Sequence, residues 1–125
     1  MIMLKDNHID YCGGIKEAIT RAYEYVQLYR PDLKIEVETR TLEDVANAIE
    51  AGKGKIHRIM VDNFKPGDIK KALQLINGAF ETEASGGINL ETIEEYAATG
   101  VDFVSVGGLI HQAQSLDLSL KAVIV

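Results

Sequence analysis

The strongest constraint on this fold is a near-regular recurrence along the chain. Segments with strand character end at Lys5, Glu38, Asp62, Ser85 and Gly107, at intervals of 33, 24, 23 and 22 residues. Each interval holds a short apolar run and an amphipathic stretch, which is the length of one βα unit. Parallel strands need crossovers of about that size, so the recurrence predicts repeated strand and helix units around one parallel sheet. The fold class is read as α/β: an incomplete TIM-like α/β barrel of about five βα units. At 125 residues with no Pro/Ser-rich linker, the chain has room for one core, and residues 1–125 are read as one unit.

Strands are expected at Met1–Lys5, Lys34–Thr39, Arg58–Asp62, Phe80–Ser85 and Asp102–Val106. After Gly13-Gly14, the positions Ile15, Ala18, Ile19, Ala22, Val26 and Tyr29 follow one helical face, and that helix ends near Arg30, before Pro31. Thr41-Leu-Glu-Asp44 opens the next helix with a capping-box pattern; Leu42, Val45, Ala46 and Ile49 lie on its face and Gly52 is its expected C-cap. Pro66 and Asp68 open a third helix (Ile69, Ala72, Leu73, Ile76), stopped by Gly78. Asn89 is the expected cap of a fourth, with Leu90, Ile93 and Ala97 on its face and Gly100 after it. The tail from Gln112 to Val125 reads as helical and then apolar.

Side chains alternate across a strand, so Glu36 and Glu38, Met60 and Asp62, Glu81, Glu83 and Ser85, and Ser105 and Gly107 each share a face. The opposite face carries Ile35, Val37, Ile59, Val61, Val104 and Val106, apolar enough to lie under helices. The polar face therefore points into the barrel. Charges there are costly to bury unless paired or open to water, and they gather at the C-terminal strand ends, where barrels of this class place their chemistry.

Lys5, Glu38, Asp62 and Glu83 are expected to converge on one mouth, a cation beside three carboxylates. That set suits holding Mg²⁺ and steadying a positively charged transition state. The competing reading is a network of interior salt bridges. Ser85-Gly86-Gly87 and Ser105-Val106-Gly107-Gly108 follow consecutive strands and match the phosphate loops that barrels build there; each glycine pair alone reads equally as a plain turn. His8 can bind a ligand, orient Lys5 or order its loop, and His111 is similar. His57 is expected at the opposite end as a surface residue. Tyr23, Tyr25 and Tyr29 point to packing or a subunit contact.

Lys plus Arg number 13 against 19 Asp plus Glu, a formal charge of −6, which argues against nucleic acid as a partner. Cys12 is the single cysteine, so no intramolecular disulfide or Cys-rich zinc site is expected and a reducing, cytoplasmic setting fits. No apolar run approaches the roughly 18 residues of a spanning helix, and Met1 leads on without a basic leader, so no membrane partner or secretion is expected.

Six motifs in unbroken order carry a resemblance: Met3-Leu-Lys-Asp-Asn-His-Ile9, Glu36-Val-Glu-Thr-Arg-Thr-Leu42, Ile59-Met-Val-Asp-Asn-Phe64, Glu81-Thr-Glu-Ala-Ser-Gly-Gly-Ile88, Thr99-Gly-Val-Asp-Phe-Val-Ser-Val-Gly107 and Ser115-Leu-Asp-Leu-Ser-Leu-Lys121. Together they resemble the C-terminal part of quinolinate phosphoribosyltransferase, a type II phosphoribosyltransferase also called the carboxylating nicotinate-nucleotide pyrophosphorylase. The resemblance implies an enzyme of NAD synthesis: quinolinate nitrogen attacks phosphoribosyl pyrophosphate, pyrophosphate leaves with Mg²⁺ help, and CO₂ is lost to give nicotinate mononucleotide. It implies that Lys5 faces the quinolinate carboxylates, and that Glu38 and Asp62 face the ribose and its metal. Ser85, Gly86, Gly87, Gly107 and Gly108 would hold the 5′-phosphate, and His111 falls in the final active-site loop. The family is homo-oligomeric, so a dimer or larger assembly is implied.

Two departures accompany it. Ile110 and Gln112 replace two hydroxyl residues of the family's Gly-Ala-Leu-Thr-His-Ser. The family's N-terminal domain, first barrel strands and upstream cationic residues precede anything found in these 125 residues, so the chain is read as a truncated barrel portion, inactive in isolation. The alternatives are a non-catalytic phosphoribosyl-binding remnant or paralog that pairs with another chain and, less well matched by the motifs, nicotinate phosphoribosyltransferase.

Overall fold

The computed structural model describes residues 1–107. The order is β1 (Ile2–Leu4), α1 (Asp6–Cys12), α2 (Ile15–Tyr29), β2 (Ile35–Thr39), α3 (Leu42–Gly52), β3 (Arg58–Asp62), α4 (Pro66–Ile76), β4 (Glu81–Ser85), α5 (Ile93–Ala97) and β5 (Phe103–Val104). All strands are parallel and lie in sequence order from β1 to β5. A doubly wound sheet would reverse its order; a sheet that never does is a barrel wall. Among the described residues β1 pairs only with β2, and β5 only with β4, so this wall stays open.

The alternation places the core as expected. Val37, Ile59, Val61 and Ala84 are wholly or almost wholly buried against Ile19 of α2, Val45 of α3 and Ile69 of α4. Fully burying each such large aliphatic side chain contributes roughly 1.5–3 kcal/mol. Thr39 shares this side of β2, and its hydroxyl is satisfied by donating to the Met60 carbonyl at 2.8 Å.

Several details differ from the sequence reading. α1 was not foreseen, because its one buried residue, Ile9, leaves no apolar period to detect. It is defined by its ends: His8 Nδ1 accepts from the Lys5 N–H at 3.0 Å, and Gly13 closes it with φ +89°. α3 starts as expected, with the Thr41 and Asp44 side chains each bonded to the other's backbone N–H at 3.0 Å. Gly52, however, is its buried last residue rather than its cap, at a spot where a Cβ would lie 2.5 Å from Ile56. At the end of α4 the left-handed cap is Asn77 (φ 48°), with Gly78 following it.

α5 begins at Ile93, not at Asn89, whose carboxamide oxygen accepts from the N–H groups of Glu91 and Thr92 in a preceding turn. Ala46, Leu90 and Ala97, expected on buried faces, are exposed. β5 is also shorter than expected, because the Asp102 carboxylate takes over at its start, accepting from Thr82 N–H (2.8 Å) and Oγ1–H (2.7 Å). Gly108, Ile110, His111, Gln112 and the expected tail helix lie outside the described residues.

Candidate active site

The C-terminal strand ends bring Lys5, Glu38, Asp62 and Ser85 together. Lys5 follows β1, and its exposed ammonium lies 4.0 Å from Glu38 Oε2, a carboxylate that is itself buried. Glu38 Oε1 accepts from the Asp6 N–H at 3.4 Å, so the unforeseen helix α1 supplies one of this carboxylate's partners. Burial first, and the charge of Asp62 second, raise the Glu38 pKa; the Asp6 N–H and Lys5 oppose that shift. At the end of β3, Asp62 Oδ1 accepts from Ser85 Oγ at 3.1 Å and Oδ2 from Asn63 Nδ2 at 2.6 Å.

Glu83 does not join them. The register sets Glu38, Met60 and Glu83 in one lateral row, with the thioether residue between the two carboxylates. Glu83 instead receives Arg58 Nη1 at 2.6 Å on Oε2 and the Ser105 hydroxyl on Oε1. The same guanidinium donates to Glu81 Oε2 through Nε (3.3 Å) and Nη2 (3.0 Å), stands 3.9 Å from Glu36 Oε1, and lies 3.8 Å under the Phe103 ring. The mouth therefore lacks Glu83, and an ion-pair cluster around Arg58, which the sequence reading did not name, lies below it.

Glu36 is the most constrained group of this lower cluster. It is 2% exposed and its Oε1 has no hydrogen-bond partner. Burial, reinforced by the charge on Glu83, pushes its pKa up to about 7. Arg58 is the residue the sequence reading overlooked, taken only as a strand boundary. Its signal was parity: two and four residues before Met60 and Asp62 on one strand, it had to share their face.

Gly86 and Gly87 both need the left-handed region, at φ +92° and +65°. A Cβ on Gly86 would lie 2.6 Å from the Asn63 nitrogen, whereas Gly87 faces open space. The Asn63 N–H donates to the Ser85 carbonyl at 2.9 Å, so the loops after β3 and β4 are packed together. The Ser85 hydroxyl donates to Asp62, and α5, five residues long, starts six residues beyond Gly87. Gly107 lies three residues past the end of β5, with open space where a Cβ would stand.

His8 lies in α1, where its Nδ1 accepts from the Lys5 N–H, and His57 is exposed. Tyr25 and Tyr29 pair at 5.2 Å on the outer surface, and Cys12 is a partly buried free thiol. A cleft of about 710 Å³ lies among α1, α2 and α3 and contains none of the candidate residues. Among the described residues, no three of His, Cys, Asp and Glu form a metal-holding group, and no helix is long and apolar enough to cross a membrane.

A family model described as quinolinate phosphoribosyl transferase, C-terminal domain, matches residues 1–121. The chloroplastic nicotinate-nucleotide pyrophosphorylase (carboxylating) of Arabidopsis thaliana is 44% identical over 133 residues, covering 97% of this chain and 38% of its own. A probable nicotinate-nucleotide pyrophosphorylase (carboxylating) of Methanocaldococcus jannaschii is 42% identical over 130 residues, covering 98% and 43%. Among solved structures, NadC from Streptococcus pyogenes matches with a TM-score of 0.79 and 39% identity, over 97% of this chain and 40% of that one. The chain spans about two fifths of the length of these relatives.

Proposed function

The chain belongs to the quinolinate phosphoribosyl transferase family, C-terminal domain, and from that membership we propose that it carries the ribose- and phosphate-facing part of a quinolinate phosphoribosyltransferase site. The reaction is phosphoribosyl transfer from phosphoribosyl pyrophosphate to the quinolinate nitrogen with loss of CO₂, giving nicotinate mononucleotide and pyrophosphate. The observation that carries this reading is the Lys5–Glu38 pair standing beside the Asp62–Ser85 pair at consecutive parallel strand ends.

In this reading Lys5 binds a quinolinate carboxylate, and its partly exposed ammonium is free to turn from Glu38 to a ligand. Glu38 and Asp62 face the ribose. As the bond to pyrophosphate breaks, the anomeric carbon gains positive charge, and fixed carboxylates lower the energy of that state more than of the ground state. Ser85 and the backbone of Gly86, Gly87 and Gly107, with Gly108, receive the 5′-phosphate. His111 is assigned to the same ligand.

The same two carboxylates fit Mg²⁺. Asp62 raises the pKa of Glu38, which is the repulsion a cation between them relieves, and Mg²⁺ is commonly held by one or two carboxylates plus substrate phosphates. When bound it would neutralise charge on the departing pyrophosphate. The reading carries a homo-oligomeric assembly and a cytoplasmic setting, which suits the free thiol of Cys12; the Arabidopsis relative is named as chloroplastic.

A second reading, a phosphoribosyl-binding chain without turnover, is favoured by one observation: among the described residues, Lys5 is the one basic side chain paired into the Glu38–Asp62 group. A chimera separates the two readings. Residues 1–125 replace the corresponding segment of the S. pyogenes relative, and release of labelled CO₂ from quinolinate is followed with phosphoribosyl pyrophosphate and Mg²⁺. Release is expected. A folded chimera that binds ribose 5-phosphate without releasing CO₂ establishes the second reading, and one that binds neither overturns both.

A further inference from the structure

The lower cluster is not spent on the site above it, and it leads to the β5 loop. Arg58 enters at the start of β3 and is held on three sides: by Glu81 and Glu83 of β4, by Glu36 of β2 at 3.9 Å, and by the Phe103 ring of β5. Its bond to Glu83 Oε2 is short and charge-assisted at 2.6 Å. The other oxygen of Glu83 accepts from Ser105 Oγ, so one carboxylate ties the guanidinium to the first residue past β5.

That tie has unusual leverage, because β5 has only two residues, and its ladder to β4 ends at Val104. Beyond that point, Ser105 is fastened to β4 by its N–H to the Ala84 carbonyl (2.9 Å) and by its hydroxyl to Glu83. Gly107 follows two residues later. We propose that Arg58 is a positioning residue which, through Glu83, sets the Ser105–Gly107 loop for phosphate contact; the phosphate part of this inference rests on the function proposed above.

The planar fork of Arg58 is what lets one side chain serve Glu81 and Glu83 together, and a lysine keeps the charge without the fork. Arg58→Lys, Ser105→Ala and the double variant are therefore compared in the 125-residue chain by NMR amide shifts and by titration with ribose 5-phosphate. Arg58→Lys is expected to move the amide signals of residues 105–107 and to leave Gly86 and Gly87 in place. It should weaken ribose 5-phosphate binding about tenfold, as losing one hydrogen bond to a charged group does. Ser105→Ala is expected to do the same, and in its background Arg58→Lys should add nothing, since both act through one link. Unmoved signals at 105–107, or an Arg58→Lys effect as large with Ala at 105 as with Ser, overturns the inference. If the parent chain binds no ribose 5-phosphate, the phosphate reading fails, and the amide shifts still decide whether Arg58 sets the loop.

Discussion

Ser85 Oγ donates to Asp62 Oδ1 at 3.1 Å, and one residue further on Gly86 leaves no room for a Cβ beside Asn63. The ends of β3 and β4 are thus joined by a hydroxyl and by a close backbone approach. Position 86 packs directly on Asn63, the residue after Asp62, while position 87 is constrained only by its own backbone.

Gly86→Ala is accordingly expected to destabilise the chain more than Gly87→Ala. The first substitution adds a collision with Asn63 to the cost of a left-handed backbone, and the second has the backbone cost alone, about 1–3 kcal/mol for a strained residue. Denaturant unfolding of both variants measures the order, and amide shifts at Asp62 and Asn63 should change with Gly86→Ala only. Equal losses of stability would remove the steric role of position 86.

Stability should fall as the pH rises from about 4.5 toward 7. Over that window the folded chain keeps a proton on Glu36 that the unfolded chain, with an ordinary carboxyl near 4.5, has already released. Glu36→Gln mimics the protonated form, so it should be more stable than the parent at pH 8, show little gain at pH 5, and reduce the slope between them. Some slope should persist from Glu38, whose pKa is also raised. Parallel pH profiles for parent and variant would assign the ionisation elsewhere.

In the catalytically competent chimera, Glu38→Ala and Asp62→Ala are expected to lower kcat/KM far more than quinolinate affinity. Carboxylates that face a carbon gaining positive charge act on the transition state, and one such contact is worth roughly 3 kcal/mol. Steady-state kinetics with both substrates varied provides the comparison. Unchanged turnover in either variant would take that residue out of the mechanism.

The 125-residue chain alone is expected to self-associate with rising concentration. Among the described residues β1 and β5 are each paired on one side, and both carry an exposed apolar residue, Met3 at 38% and Phe103 at 43%. Unpaired strand edges of this kind recruit other strands. Sedimentation across a concentration series tests it, and a monomer throughout, with one cooperative thermal transition, would count against open edges.

What the sequence determined by itself is local. The alternation along Ile35–Thr39 and Arg58–Asp62 and the Thr41/Asp44 cap depend on residues a few positions apart and were recovered in place; of the recurring strand ends Asp62 and Ser85 stand as read, while β5 stops at Val104. Face parity also placed Glu38, Asp62 and Ser85 on one polar side, and the motifs around them identified the family. What only the tertiary structure decided is which residues of that side meet. The pleat specifies a side chain's face but not its neighbour across the sheet, and that neighbour depends on how far each strand is shifted against the next. The register put Met60 between Glu38 and Glu83, sent Glu83 down to Arg58 and Ser105, and left Glu36 buried with an unpartnered oxygen. Helix α1 was hidden for a related reason: with one buried side chain it has no period to read, and it exists because Ile9 packs on a core assembled from distant segments.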